Sequence, residues 1–294
     1  MKGFLLMNYL LAGISCGGQY ALIAIGYTMV YGILRLINFA HGDVFMVAGL
    51  LMVYISADFP LYVSIPLVLI LTSILGFAIE RAAYKPLRTA PRMSVMISAI
   101  GVSYLLQNLA LYITGGLAKV YPAIPWLSES ITVFGATTKR VTVITPVLVI
   151  VLVIILVCLI KYTKIGMAMR AVSKDFETSQ LMGIKINTVI STTFVVGSFL
   201  AAVGSILYFS SYSSVIPTSG ALPGLRAFVA AVVGGIGSIP GAVVGAFIVG
   251  ICENFIKGVP EISIFSDAFT FLLLIVILCV KPTGIFGEKN IDKV

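Results

Sequence analysis

Long apolar stretches, separated at short polar intervals, run through almost the whole chain. Five of them have clear flanks: 61–79, 95–113, 144–160, 189–209 and 264–280. Each approaches or reaches the roughly 20 apolar residues that carry a helix across a bilayer. Two further stretches are interrupted. The first runs over 4–36 and resumes over 44–55, with Asn38, His41, Gly42 and Asp43 in the gap. The second runs over 225–233, breaks at "GGIGSIPG" (234–241), and resumes over 242–256. Ten-residue segments alternating polar and apolar, the mark of an outer-membrane barrel, are absent. The pattern predicts an all-α polytopic membrane protein forming a single transmembrane domain, with about 8 transmembrane or half-membrane helices.

The two interruptions correspond. "LINFAHGDVFMVAGLLMVYI" and "VVGGIGSIPGAVVGAFIVGI" can be laid over each other as apolar stretch, polar or glycine-rich break, and short apolar resumption. This predicts two related halves with interrupted helices. Short, broken apolar segments at matching places in two halves point to a transport pathway, because non-helical backbone at membrane depth survives only when buried in protein or lining a wet cavity. Asn38, His41, Gly42, Asp43, Gly235, Gly237 and Ser238 are therefore candidate pathway residues. A first turn near mid-membrane would offer unpaired N–H groups to a carboxylate, with Asp43 either capping its own helix or facing an ammonium group. A plainer reading stands beside this one. Residues 38–43 form a surface turn with Asp43 as an N-cap, Ser238 caps the next helix, Pro240 occupies its first turn, and Gly241 with Gly245 permits close helix packing.

Charge adds orientation. Arg81, Lys85, Arg88 and Arg92 fill the loop 80–92, and Lys161, Lys164, Arg170, Lys174 and Lys185 fill 161–185. The positive-inside rule puts both loops in the cytoplasm, so the loop 115–141 is external and the tail with Lys281, Lys289 and Lys293 is internal. The external loop carries Trp126, suited to the interface. Its strand-like runs 131–134 and 141–144 flank "GATTKR", which predicts a small hairpin. Lys2 followed by an apolar run resembles a signal peptide, but no small-x-small site closes it, and the segment is expected to be retained.

Composition fixes the solvent. Hydrophobic residues make up 60% of the 294, charged ones 10%, and mean hydropathy is +1.12, against about 25% charged in soluble domains. The net charge of +8 fits orientation in a bilayer better than nucleic acid, since no soluble domain carries a basic face. Cys16, Cys158, Cys252 and Cys279 are scattered singly, with neither metal-ligand spacing nor a disulfide framework. No GxxxxGK[ST] phosphate loop is present, and "GGIGSIPG" lacks both that lysine and GxGxxG spacing. With one histidine and no partner at metal spacing, the expectation is a non-enzyme without cofactor or metal.

The cytoplasmic loop 162–188 carries the most information. Ser173 is expected to cap a short helix of about nine residues, roughly 13 Å long. Asp175 and Glu177 suit the positive end of its dipole, and Gly183 suits a left-handed stop. Alone, this is an amphipathic connector. In order along the chain, however, come "YALIAIGYTMVYGILRLINFAHGDVFMVAG" (20–49), "ERAAYKPLR" (80–88), "GMAMRAVSKDFETSQLMGI" (166–184), "AFVAAVVGGIGSIPGAVVG" (227–245) and "KPTGIFG" (281–287). Together they closely resemble the high-affinity branched-chain amino-acid ABC transporter permeases, of the LivH rather than the LivM type, over nearly the whole chain. The resemblance implies a membrane subunit paired with a second, LivM-like permease, with two ABC ATPase subunits beneath and an extracytoplasmic solute-binding protein above. It also implies that Arg170, Ala171, Asp175, Glu177 and Gly183 belong to an ATPase-coupling helix. The substrate is left among branched-chain amino acids, urea and short amides. An ion-coupled secondary transporter, a channel or a scaffold would leave that loop without a purpose.

Overall fold

The computed structural model describes residues 2–88, 90–133 and 136–287. Its helices are α1 (Lys2–Leu34), α2 (His41–Asp58), α3 (Leu61–Ile79), α4 (Arg92–Thr114), α5 (Pro125–Ser128), α6 (Arg140–Tyr162), α7 (Lys164–Lys174), α8 (Phe176–Leu181), α9 (Ile186–Tyr212), α10 (Ala221–Gly234), α11 (Ile239–Lys257) and α12 (Ser266–Val280). Among the described residues, 8 helices are long and apolar enough to cross a membrane, and α10 is a shorter apolar one. Four short strands, β1 (Lys119–Val120), β2 (Ser130–Val133), β3 (Ala136–Lys139) and β4 (Ser214–Val215), form two antiparallel pairs, β1 with β4 and β2 with β3. The all-α polytopic architecture follows the apolar pattern, and 61–79 coincides with α3.

Two boundaries differ from expectation. The hairpin forms, but its second strand is Ala136–Lys139, not 141–144, which opens α6. Val141 and Ile144 continue the apolar run of α6, and burial of Val141 on that helix outweighs its β propensity. The first apolar stretch also ends earlier, at Leu34, where Arg35 turns left-handed at φ 55°. Phe134, Gly135, Lys289 and Lys293 lie outside the described residues.

Helix α1 is the centre of the bundle. Fully buried Tyr20, Leu22, Ile23 and Ile25 put apolar surface on every side of it, the mark of a helix surrounded by protein. It meets α11 backbone to backbone: a Cβ at Gly250 would lie 2.3 Å from Gly17 N, and one at Gly17 would lie 2.8 Å from Phe247 Cα. In lipid no hydrophobic force drives helices together, so close approach through small residues supplies the attraction as dispersion. Around this core, α4, α6 and α12 turn apolar outer faces such as Tyr104, Ile154 and Ile275 to the bilayer. Gly250→Leu is expected to abolish folded protein in the membrane, judged by monodispersity after detergent extraction. Gly101→Ala, at a position with nothing within 4 Å, is expected to leave yield unchanged.

Candidate substrate pathway and coupling elements

The first break is held by side chains from three other elements. Asn38 Oδ1 accepts from the Tyr84 hydroxyl at 2.8 Å. Asp43 accepts from Ser103 Oγ at 2.5 Å and Gln107 Nε2 at 3.0 Å, both on α4. His41 sits edge-on to Tyr27, ring centroids 5.1 Å apart, in a notch that only a glycine at position 26 leaves open: a Cβ there would lie 2.0 Å from its Nε2. That Nε2 is buried without a hydrogen-bond partner. Gly42 rests on α10, where a Cβ would lie 2.7 Å from Gly220 O. Asn38, His41 and Asp43 are each 2% exposed, so the segment is not a surface turn. Nor is Asp43 a cap: the start of α2 has no side-chain cap bond, because its carboxylate is turned to α4, where two donors meet it.

Depth follows from register. His41 is level with Gly26, eight residues before the end of α1, or about 12 Å at 1.5 Å per residue. It is also level with Gly197, eleven residues into α9, or about 16 Å. In a hydrocarbon core about 30 Å thick, α2 therefore starts near mid-membrane.

The second break lies nearer the coupling loop. Gly235 takes φ 107° and packs on the tail, where a Cβ would lie 2.5 Å from Gly287 N. Ile285 N and Phe286 N donate to Val233 O and Gly234 O, each at 2.9 Å, so the tail satisfies two carbonyls that end α10. Ser238 Oγ accepts from Gly241 N at 3.2 Å and caps α11, with Pro240 in the first turn. Gly241 and Gly245 bring α11 against α10, where Cβ atoms would lie 2.5 Å from Gly234 O and 2.2 Å from Ala230 O. Gly237, φ 103°, and Ser238 line a cavity described below. No hydrogen bond among the described residues joins 38–43 to 235–238.

The loop 162–188, the candidate coupling element, is two helices rather than one. Ser173 does not cap; its hydroxyl donates to Arg170 O at 2.9 Å. The cap is Asp175, between α7 and α8, whose Oδ1 accepts from Thr178 N at 3.0 Å and Oδ2 from Thr178 Oγ1 at 2.6 Å. Those bonds, the Thr178 hydroxyl first, hold the Asp175 carboxyl below the usual carboxylate range. Asp175 N returns to Ala171 O at 3.1 Å, closing α7, and Glu177 is exposed in the first turn of α8. Gly183 supplies the left-handed stop at φ 81°, with Ile184 N bonded to Ser179 O at 3.1 Å. Arg170 Nη2 donates to Lys161 O at 3.1 Å, tying α7 to the end of α6. Phe176 projects the other way. With Leu34, Leu36, Tyr84 and Arg88 it lines a cavity of about 210 Å³ directly beneath the first break. Tyr84, which holds Asn38, thus shares a space with Phe176 of α8.

Sequence reasoning missed the ionic clusters. Arg226 Nη1 lies 2.9 Å from both Tyr20 Oη and a Glu253 oxygen, Arg226 Nη2 bonds to Asp267, and Lys257 bonds to Glu253. The set ties α1, α10, α11 and α12 at the end opposite the coupling loop. On the coupling side, fully buried Glu80 bonds to Arg88 and accepts from Ser191 at 2.7 Å, while Arg88 reaches Asn187. Removing Arg88 strands the fully buried Glu80 charge, the expensive outcome in a low-dielectric site. The only sequence signal is that each helix end bearing one charge has an opposite charge elsewhere in the chain. No group of three His, Cys, Asp or Glu side chains able to hold a metal occurs among the described residues.

The fold is thus a polytopic helical membrane protein with two interrupted helix pairs and a polar loop of two short helices on one face. Residues 9–278 match the family described as branched-chain amino acid transport system / permease component, and the chain belongs to it. It is 38% identical over 296 residues to the high-affinity branched-chain amino acid transport system permease protein LivH of Salmonella typhimurium, covering 96% of each chain. It is 40% identical over 305 residues to the corresponding protein BraD of Pseudomonas aeruginosa, covering 98% of each. More distantly, it is 26% identical over 281 residues to the ribose import permease protein RbsC of Haemophilus influenzae, covering 92% of this chain and 83% of the relative.

Two outcomes follow from this geometry. Asp43→Leu strands the Ser103 and Gln107 donors, and is expected to cost roughly 1–3 kcal/mol, read as a lower Tm in detergent. In the Asp43→Leu background Ser103→Ala is expected to add little, whereas in the wild type it costs stability. Asp175→Ala is expected to loosen α8, detected as faster amide exchange at Thr178 and Ser179, while Asp175→Asn preserves the cap. Because the folded carboxyl sits below its unfolded value, acidification through the carboxylate range is expected to loosen α8 likewise.

Proposed function

We propose that this chain is the membrane permease subunit of an ABC importer for branched-chain or related hydrophobic amino acids, in the cytoplasmic membrane with its C-terminus inside. A second permease completes the translocation unit, two ATPase subunits dock on α7 and α8, and an external solute-binding protein docks on the opposite end around 115–141. Support for the substrate comes from the high-affinity permeases LivH and BraD, each aligned over nearly its whole length.

The observation that carries the coupling assignment is the tip of α8. Leu181 is 87% exposed and Met182 79%, on a basic loop too polar to enter lipid. Apolar side chains held in water by an ordered turn fit a protein partner. Arg170, Ala171, Asp175, Glu177 and Gly183 build the two helices that present this tip. A Cβ at Gly183 would meet nothing within 4 Å in this chain, so within the permease a side chain there acts through the backbone angle, at a cost on the order of 1 kcal/mol.

In this reading the pathway residues act by sealing and opening. Asn38, His41, Gly42 and Asp43 are closed off by α1, α4, α10 and Tyr84, and opening at that level separates Asp43 from Ser103 and Gln107. Gly235, Gly237 and Ser238 set the inner end, braced by the tail. Phe176, beneath Tyr84, carries motion of the docked ATPase to the first break.

In proteoliposomes holding the assembled transporter, leucine, isoleucine and valine are expected to accumulate when the binding protein and lumenal ATP are supplied. Uptake of urea instead would overturn the substrate assignment. Leu181→Asp is expected to abolish co-purification of the ATPases and leave the permease in the membrane; ATPases retained at the wild-type level would remove the docking role. In a cysteine-free background, a cysteine at Ser130 is expected to react with an impermeant thiol reagent in intact cells and one at Lys174 is not.

A further inference from the structure

A cavity of about 1000 Å³ lies between the coupling helix α7 and the second break. Its lining is graded along the membrane normal. Nearer mid-membrane stand Val157 and Ile160 of α6, Phe228 and Val232 of α10, and Leu274 and Leu278 of α12. Toward the coupling face stand Arg35, Lys161, Arg170 and Lys174, with the capped N-terminus of α11 at Ser238 among them. Chain direction fixes this order: α6 descends from Val157 to Lys161, and α12 descends from Leu274 toward Pro282.

Two features separate this cavity from a merely solvated basic rim. First, its lining contains no carboxylate among the described residues, and none of the four cations takes part in a salt bridge there. Elsewhere the buried cation Arg226 has carboxylate partners. Second, two of the cations are held by local geometry. Arg170 is held on the Lys161 carbonyl, and Arg35 is turned at the end of α1 by a left-handed φ of 55° that a non-glycine residue adopts rarely. The apolar walls belong to α6 and α12, whose neighbouring side chains Ile154 and Ile275 are exposed toward lipid.

We propose that this cavity holds one anionic phospholipid of the inner leaflet, its phosphate among Arg35, Lys161, Arg170 and Lys174 and an acyl chain along Val157, Leu274 and Leu278. Free phosphate meets the charge but leaves the apolar wall empty. A zwitterionic lipid meets the wall but brings its own cation to a site that already holds four. Only a lipid with net negative charge matches both parts. Juxtamembrane lysines and arginines each contribute appreciably to holding such lipids. The occupant would touch α7 and the second break together, so inner-leaflet composition would bear on the position of the coupling helix.

The test is native mass spectrometry of the full chain in mild detergent, titrated with phosphatidylglycerol and, separately, phosphatidylcholine. The wild type is expected to retain one phosphatidylglycerol in preference to phosphatidylcholine. Lys161→Gln with Lys174→Gln is expected to weaken that retention roughly ten-fold or more, and Arg35→Gln to act in the same direction. Both lysines are exposed, and an unchanged Tm confirms that the variant folds. Arg81→Gln with Lys85→Gln, basic positions in the other loop of the same face, is expected to keep the preference. Equal retention of the two lipids, a site unaffected by the Lys161 and Lys174 changes, or equal loss in the Arg81 and Lys85 control would each overturn the proposal. Displacement of the bound lipid by millimolar inorganic phosphate would overturn it too, by showing a free-anion site.

Discussion

Helices in a bilayer gain nothing from hiding apolar surface from one another, so their attraction depends on how closely their backbones approach. In this protein that approach is made by α1. Glycines at positions 13 and 17 meet α11 near Gly250, and Gly26 leaves room for the His41 ring. The rest of the architecture is arranged around this contact. With α1 enclosed, the polar start of α2 is buried at mid-membrane without meeting lipid, and α9, α10 and α11 can each carry hydrogen-bonding groups on their inner faces.

The same economy governs charge. Among the described residues, Asp43, Glu80, Arg226 and Glu253 are buried or nearly so, and each has partners contributed by another helix. Coulombic attraction between such groups is strong at low dielectric, but so is the desolvation each has suffered. These clusters therefore act as registers that fix which helix faces which, and they also mark the places where moving helices must break specific bonds. Asp43 turns to α4 and Arg226 to α11 and α12, so the two clusters fix different helix pairs.

The two interrupted pairs share a pattern but differ in use. The first break is sealed by side chains, the second by the backbone of the tail, with Ile285 and Phe286 completing the end of α10. Both touch the loop of α7 and α8, through Phe176 under Tyr84 in one case and through the wide basic cavity in the other. In the proposed coupling role, two helices with one contact toward each break are suited to moving both.

The sequence by itself determined the solvent, the number and approximate limits of the spans, the basic face and the left-handed stop at Gly183. These depend on composition and on properties of neighbouring residues, which a linear chain displays. It also located the polar residues at 38–43 and 235–238, but not what they do to one another. That Asp43 turns to Ser103 and Gln107, that Asp175 rather than Ser173 caps the coupling helix, and that Val141 joins α6 instead of a strand were decided by tertiary structure. Asp43 and Gln107 are 64 residues apart, and Arg226 and Tyr20 are 206 apart. Which polar group pairs with which depends on how helices pack laterally, and helix periodicity gives the apolar face of each helix but not the neighbour that face will meet.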